Sequence, residues 1–290
     1  MTITQTWLNE QAKRTTLELQ QMESQVMSLF KFKNIDGATH TEYIMDELDE
    51  TDTDILLEEH DREDLELRQE TYTPYTVTAR SRKVNSTVTD EEEAQSTLED
   101  IRAKVSTNLK KGLTRKMDRD CLLTLKARAP TGTGAFTRAA PSTFVDLAEN
   151  IATWADNEDW DGEWHCLLPP ISFNKLRNTE KVSSYDYGPK VLHGKRFYVE
   201  FMGVNFHSVK LLKNASHSTS PVASDFTATA NMRAGFAFNS DDACWFSNFE
   251  RTTSRWTYIG RNDVFNALAK YLAVPGIIRQ EGCLAVDIPV

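Results

Sequence analysis

The 290-residue chain contains no run of eighteen apolar residues, and its first stretch, MTITQTWLNEQAKR, holds no apolar signal-peptide core. The sequence therefore predicts neither a membrane span nor secretion, and the expected site of synthesis is the cytoplasm. Only four cysteines occur, Cys121, Cys166, Cys244 and Cys283, with no CxxC pair. That spacing argues against a zinc ribbon or a redox motif and favours buried free thiols. The six histidines, His40, His60, His165, His193, His207 and His217, show no HExxH or other metal-ligand spacing. His165 and His207 fall inside strand-like runs, where a satisfied structural histidine is the expectation. There is no GxSxG elbow before a helix and no dinucleotide fingerprint. SYDYGPKVLHGKRF approaches a phosphate loop, but Gly188 and Gly194 are one residue too far apart. Arg196 also stands where the magnesium-binding Ser or Thr belongs. DETDTD groups carboxylates as a calcium loop does, yet the loop's sixth-position glycine and twelfth-position glutamate are out of register. Trp154, Trp160, Trp164, Trp245 and Trp256 suit core and interface packing better than a ligand platform. The chain is thus read as a non-enzyme with no cofactor and no metal; a dispersed acid pair among its 43 carboxylates leaves a soluble hydrolase as the enzymatic alternative.

What the sequence does have is a 40% hydrophobic share, enough for a sizeable core, and a segmented charge. Residues 1–100 carry 24 acids and 9 bases, whereas residues 101–129 carry 2 and 9. Such asymmetry lets one part of a molecule meet an oppositely charged part of a neighbour. Between Glu42 and Glu70 stand fourteen acids against Arg62 and Arg68 alone, which reads as an extended, solvated arm or one ordered by assembly.

The strongest single element runs from Val88 to Pro130. Thr89 and Glu92 form a capping-box pattern, acids crowd the first turn, and Leu98, Ile101, Val105, Leu109 and Leu113 make one apolar stripe. Gly112 predicts a bend or break before Cys121, Leu122, Leu123 and Leu125 resume the stripe, and Pro130, Gly132 and Gly134 end it. A second helix is predicted within residues 5–33 on Leu19, Met22, Val26, Leu29 and Phe30. In ELRQETYTPYTVTARSRKVNSTV, Thr, Tyr and Val alternate with polar residues around Pro74, which predicts a two-stranded ribbon with Arg80, Arg82 and Lys83 on its second half. Further on, PSTFVDLAENIATWA reads as a capped helix, WHCLL as a buried strand and SFNKLRN as a short helix. Phe197, Val199 and Phe201 alternate in a strand that turns at Gly203 into a second one. Residues 214–231 read as a polar loop. AGFAFN, ACWFSNFER, SRWTYIGR and CLAVDIPV are strand-like, and NDVFNALAKYL reads as a helix.

An acidic arm, a basic hairpin, a long helix, a mixed domain and a returning terminal strand resemble the major capsid proteins of tailed bacteriophages. RKMDRDCLLTL before a GTG turn, YGPKVLHGKRFYVEFMGVNFH, ANMRAGFAFNSDDACWF and VPGIIRQEGCLAVDIPV are similar to phage coat sequences, and the likeness spans about residues 58–290. The resemblance implies an α+β fold of the Hong Kong 97 type. Its parts would be an N-terminal arm at 1–57, an extended hairpin loop at 58–88 and a peripheral-domain spine helix at 89–130. An axial domain would follow at 131–240, then peripheral return strands at 241–270 and a C-terminal strand at 271–290 that rejoins the axial sheet. Thr71, Tyr72, Tyr75, Arg80, Arg82 and Lys83 would lie on the loop that overlaps a neighbouring subunit, with the three cations meeting acidic partners. The implied function is a coat subunit that self-assembles into an icosahedral virion shell, built of pentamers and hexamers and enclosing double-stranded DNA. The implied partners are itself, a separate scaffolding protein, a portal protein, a decoration protein and, without sequence preference, the packaged DNA. Assembly would take place in the host cytoplasm, with no membrane involved. An encapsulin-like cellular compartment is the alternative sharing this fold.

Overall fold

The structure, a computed structural model, describes residue 13 and residues 24–34, 39–45, 72–89, 98–128, 143–157, 162–179, 190–192, 196–212, 232–259 and 264–289. In chain order the strands are β1 (Lys31–Asn34), β2 (Thr39–Met45), β3 (Tyr72–Thr78), β4 (Arg80–Thr89), β5 (Trp164–Leu168) and β6 (Lys190–Leu192). They continue with β7 (Arg196–Phe201), β8 (Val204–Ser208), β9 (Met232–Asn239), β10 (Ala243–Ile259), β11 (Val264–Ile277) and β12 (Cys283–Pro289). The helices α1 (Leu98–Arg128), α2 (Phe144–Asn157) and α3 (Pro170–Arg177) are joined by one short 3-10 turn at Met27–Leu29.

Helix α1 is 31 residues and so about 46 Å long. Val105, Leu109, Leu113, Met117, Cys121, Leu122 and Leu125 form its buried stripe. The break expected at Gly112 is absent, and the helix runs straight through it. A Cβ there would come within 3.2 Å of Val84 Cγ1, so the glycine is explained by the close passage of β4. Thr89, expected to cap this helix, is instead the last residue of β4. Residues 90–97, with the rest of the capping box, lie outside the described residues, as do Pro130, Gly132 and Gly134.

Two large sheets share α1. The four-stranded sheet has the order β1-β10-β11-β4, and the six-stranded sheet has the order β12-β9-β5-β8-β7-β6. One core joins the α1 stripe to Ala267, Ala269, Tyr271 and Ala273 of the first sheet and to Leu167, Phe236 and Phe238 of the second. Small alanines on β11 admit the helix closely. A second core fills the opposite side of the six-stranded sheet, where Cys166, Leu168, Phe206 and Ala237 meet Leu147 and Ile151 of α2 and Phe173 and Leu176 of α3. All five residues of β5 are buried, as a strand covered on both faces requires. Thr143 and Asp146 cap α2 reciprocally: the Asp146 N–H donates to Thr143 Oγ1 at 3.2 Å and the Thr143 N–H to Asp146 Oδ2 at 3.0 Å. Met202 and Gly203, with φ of 52° and 74°, make the tight turn between β7 and β8.

Three expectations are corrected. From Val264 on, the NDVFNALAKYL segment is not a helix; it opens β11, a strand of 14 residues. Ala267, Ala269, Tyr271 and Ala273 are buried while Lys270 is exposed, a period-two pattern imposed by pairing with β10 and β4 that overrides the helix propensity of Ala, Leu and Lys. The stretch from Thr71 to Val88 is not a self-paired ribbon either: β3 pairs with β2, and β4 pairs with β11. A single residue, Ala79, separates β3 from β4, too short a connection for the two to fold back on one another. Finally, residues 24–34 of the expected second helix form the 3-10 turn and β1, with Val26, Leu29 and Phe30 buried in the shared core. Residues 5–12 and 14–23, the calcium-like DETDTD and the polar loop at 214–231 lie outside the described residues.

Candidate functional site

The ribbon formed by β2 and β3 exposes Thr39, Thr41, Tyr43, Thr73, Pro74 and Thr76. Its register runs from Thr39 opposite Thr78 at the base to Met45 opposite Tyr72 at the far end. At the base, Val77 and Ala79 are buried with Cys244 and Phe246, and Tyr75, Leu272, Val274 and Ile278 pack around them. Gly276 matters here, because a Cβ would stand 2.2 Å from the Phe246 ring. Tyr75 fixes the angle at which the ribbon leaves. Its hydroxyl accepts from the Ile277 N–H at 3.3 Å, and the Arg128 guanidinium lies 4.9 Å over its ring. Burial raises the Tyr75 pKa, so the phenol is neutral at any physiological pH. Lys33 pairs with Glu42 across the base, and Thr41 Oγ1 meets Thr76 Oγ1 at 2.9 Å. Beyond these contacts Tyr43 is 68% exposed, a large side chain with little of its own chain against it. A two-stranded ribbon is barely stable by itself, so its outer half is built to rest on something else.

The residues expected on this loop are dispersed. Thr71 lies outside the described residues, and Tyr72 pairs with Met45 at the far end. Tyr75 is committed to the body. Arg80 and Lys83 are exposed on β4, Arg80 directly after the ribbon's base. Arg82 is not available to a neighbour in the way its sequence setting suggests, because it makes a two-pronged ion pair with Asp120 of α1, Nε to Oδ2 at 3.1 Å and Nη2 to Oδ1 at 3.4 Å. The Tyr271 hydroxyl donates to the same Asp120 Oδ2 at 2.6 Å. Burial first, and then the carboxylate that its proton serves, push the Tyr271 pKa far up.

Sequence reasoning missed Asp118. It occupies a position on the α1 stripe where an apolar side chain is expected, and it is 3% exposed. Its carboxylate gathers the N-terminal segment. Oδ1 accepts from the Ser24 hydroxyl, from the Val26 N–H at 2.9 Å and from the Met27 N–H at 3.3 Å, while Oδ2 accepts from the Gln25 N–H at 3.1 Å. The segment then crosses to β1, where Lys31 pairs with Asp241 at 3.4 Å. A carboxylate inside an apolar stripe was the available signal.

On the same face of the six-stranded sheet, His165 Nδ1 and His207 Nε2 are 3.1 Å apart, both side chains being buried. Phe238 packs on the first ring and Tyr198 stacks on the second. Burial lowers the His165 pKa to about 4 even though Glu163 stands 3.9 Å away. His165 also lines a recess of about 330 Å³ with Phe30, Lys31, Glu163 and Asp241. All four thiols are buried, and burial raises the pKa of each. Among the described residues no group of three potential metal ligands occurs, and no helix is long and apolar enough to cross a membrane.

No family model and no curated protein matches the sequence. Solved structures do match, and they place the chain in one fold class: two sheets on a shared long helix, with a projecting ribbon, is the α+β Hong Kong 97-like capsid fold. The capsid structure of cyanophage P-SCSP1u aligns with a TM-score of 0.63 at 14% identity, covering 92% of this chain and 89% of that one. The mature capsid of bacteriophage PhiM1 gives 0.61 at 14%, covering 92% and 87%. The holo-SrpI encapsulin complex of Synechococcus elongatus PCC 7942 gives 0.59 at 10%, covering 90% and 86%.

Proposed function

We propose that this chain is the major capsid protein of a tailed bacteriophage, a coat subunit that self-assembles into an icosahedral head shell around double-stranded DNA. The observation that carries the reading is the capsid fold over nine-tenths of the chain, with a ribbon whose outer half lacks cover. The six-stranded sheet corresponds to the axial domain, the four-stranded sheet and α1 to the peripheral domain, and β2 with β3 to the stems of the extended loop. That assignment moves the loop from the expected 58–88 to the stretch between Thr39 and Thr78, and it leaves β4 in the peripheral sheet. The role is structural and calls for no catalysis: many weak contacts, repeated by symmetry, sum to a stable shell. A scaffolding protein, a portal and a decoration protein complete the expected set of partners, and the virion is the expected location.

The encapsulin match supports a second reading, a cellular compartment shell. Purification of particles from cells that produce the chain from its native gene neighbourhood separates the two, with the contents then treated with nuclease and protease. Particles filled with double-stranded DNA are expected. Particles holding a folded enzyme and no DNA would replace the phage reading with the encapsulin one.

A further inference from the structure

Helix α1 is open to solvent along one arc of its first half. Lys104, Thr107, Asn108, Lys111 and Arg115 are exposed, and the helical turn sets all five within an arc of about 100° and a length of about 16 Å. Val105, Leu109 and Leu113 take the other side of the same turns, in the shared core. Past Arg115 the arc closes, because Asp118 and Leu122 continue it and both are buried, Asp118 beneath the segment it holds through Ser24, Gln25 and Val26. Every exposed side chain from 104 to 115 therefore stands on this arc, each can donate a hydrogen bond, and none is an acid. Residues 101–117 as a whole hold six bases and no acid. The two acids that follow are engaged elsewhere, Asp118 on the N-terminal segment and Asp120 on Arg82 and Tyr271. No ion pair among the described residues involves Lys104, Lys111 or Arg115. Lys111 and Arg115 stand four residues apart, a like-charge spacing that weakens a helix on its own. An anionic partner removes that cost.

Building on the shell reading, we propose that this arc of α1 binds the phosphate backbone of the enclosed double-stranded DNA, which puts that side of the helix on the inner face of the shell. Lys104, Lys111 and Arg115 supply the charge. The Thr107 hydroxyl and the Asn108 amide add donors of the kind that phosphate oxygens accept. The arc carries no exposed apolar or aromatic side chain to anchor a protein partner, and lysine is depleted where protein surfaces meet. Contacts to the backbone alone carry no sequence preference, as a container for a whole genome requires. A single copy is a weak site with three cations, and repetition around the shell sums many such sites along one duplex.

The test is fluorescence anisotropy of a labelled duplex of mixed sequence, titrated with the purified full-length chain between roughly 50 and 200 mM salt. Three neutralised phosphates predict a slope of about −2.7 in log affinity against log salt, so affinity should fall about 40-fold across that range. Lys104→Gln, Lys111→Gln and Arg115→Gln together should weaken binding about tenfold or more at the lower salt and remove about 2.7 from the slope. A charge-matched control, Lys175→Gln, Arg177→Gln and Lys210→Gln, removes three exposed cations near the six-stranded sheet and should change neither quantity. Thermal unfolding should be the same for all three chains. Acetylation of Lys104 and Lys111, read by mass spectrometry, should slow when the duplex is bound, while Lys175 and Lys210 react as before. An unchanged slope in the α1 variant, an equal loss in the control, or acetylation of Lys104 and Lys111 that ignores the duplex would each overturn the inference. Displacement of the duplex by polyglutamate of matched charge as readily as by unlabelled duplex would overturn it in favour of an acidic protein partner. Duplex binding is read on the unassembled chain, so its failure is distinct from that of the shell reading, which shows as absence of shells from the unaltered chain and would overturn the placement on an inner face.

Discussion

The six-stranded sheet is covered by the chain on both faces, α1 on one side and α2 with α3 on the other, and its central strand β5 is wholly buried. The four-stranded sheet is covered by α1 on one face only, and the other face carries a ribbon base at one end and exposed cations at the other. The ribbon is further still along this scale, with Tyr43 standing mostly in solvent. A region that completes its own burial holds the monomer together, whereas on the proposed shell reading a region that leaves burial unfinished is completed by other copies. Substitutions should separate along that line: changes in the six-stranded sheet alter the stability of the single chain, and changes on the outer face and ribbon alter assembly.

The largest effect on the monomer is expected in the doubly covered sheet. Phe206→Ala should cost about 3–5 kcal/mol in urea unfolding, because Phe206 is fully buried between two layers that cannot collapse onto a cavity. Acid comes next. His165 has a folded pKa of about 4 against an ordinary 6.5, so the native state binds the proton less well than the unfolded chain. Its contribution is complete above pH 6.5, declines as pH falls to 4 and is absent below, a swing on the order of 3 kcal/mol. Unfolding curves of the His165→Gln chain should lack that step. Asp118→Ala strands the backbone donors of Gln25 and Val26 and should cost about 2 kcal/mol, with faster hydrogen exchange at Val26.

Smaller effects sharpen the contrast within one strand. Arg82→Ala should cost about 1 kcal/mol, since it removes both donors of the two-pronged pair from the half-buried Asp120, whereas Arg80→Ala and Lys83→Ala should stay within about 0.5 kcal/mol. Equal costs at Arg82 and Lys83 in thermal unfolding would erase the distinction between the two faces of β4. Tyr43→Ser should leave monomer stability within about 0.5 kcal/mol and still reduce shell yield. A monomer destabilised by that change would mean that the ribbon completes the chain's own fold.

Much of the body could be read before the structure was known. The α1 stripe, the buried WHCLL strand, the turn at Gly203 and the cap near Thr143 all depend on neighbours within a few residues, and local chemistry specifies them. Most of the failures are matters of pairing. Nothing in TYTPYTVT says that its partner lies 27 to 39 residues earlier at Thr39–Met45, or that RSRKVNSTV pairs with a strand 177 to 193 residues later. NDVFNALAKYL has helix-forming composition, and only its place between β10 and β4 makes it a strand. The candidate site was the least legible part, because a surface is defined by which elements lie side by side: Arg82 was read with Arg80 and Lys83 as a cation for a neighbour, and nothing local says that Asp120 of α1 pairs with it.

The most direct measurement is negative-stain electron microscopy of the purified chain beside size-exclusion chromatography, with and without a co-expressed scaffolding protein. Closed shells, or rings of five and six subunits, are the predicted result. A species that stays monomeric at every salt concentration and with every partner would contradict the account.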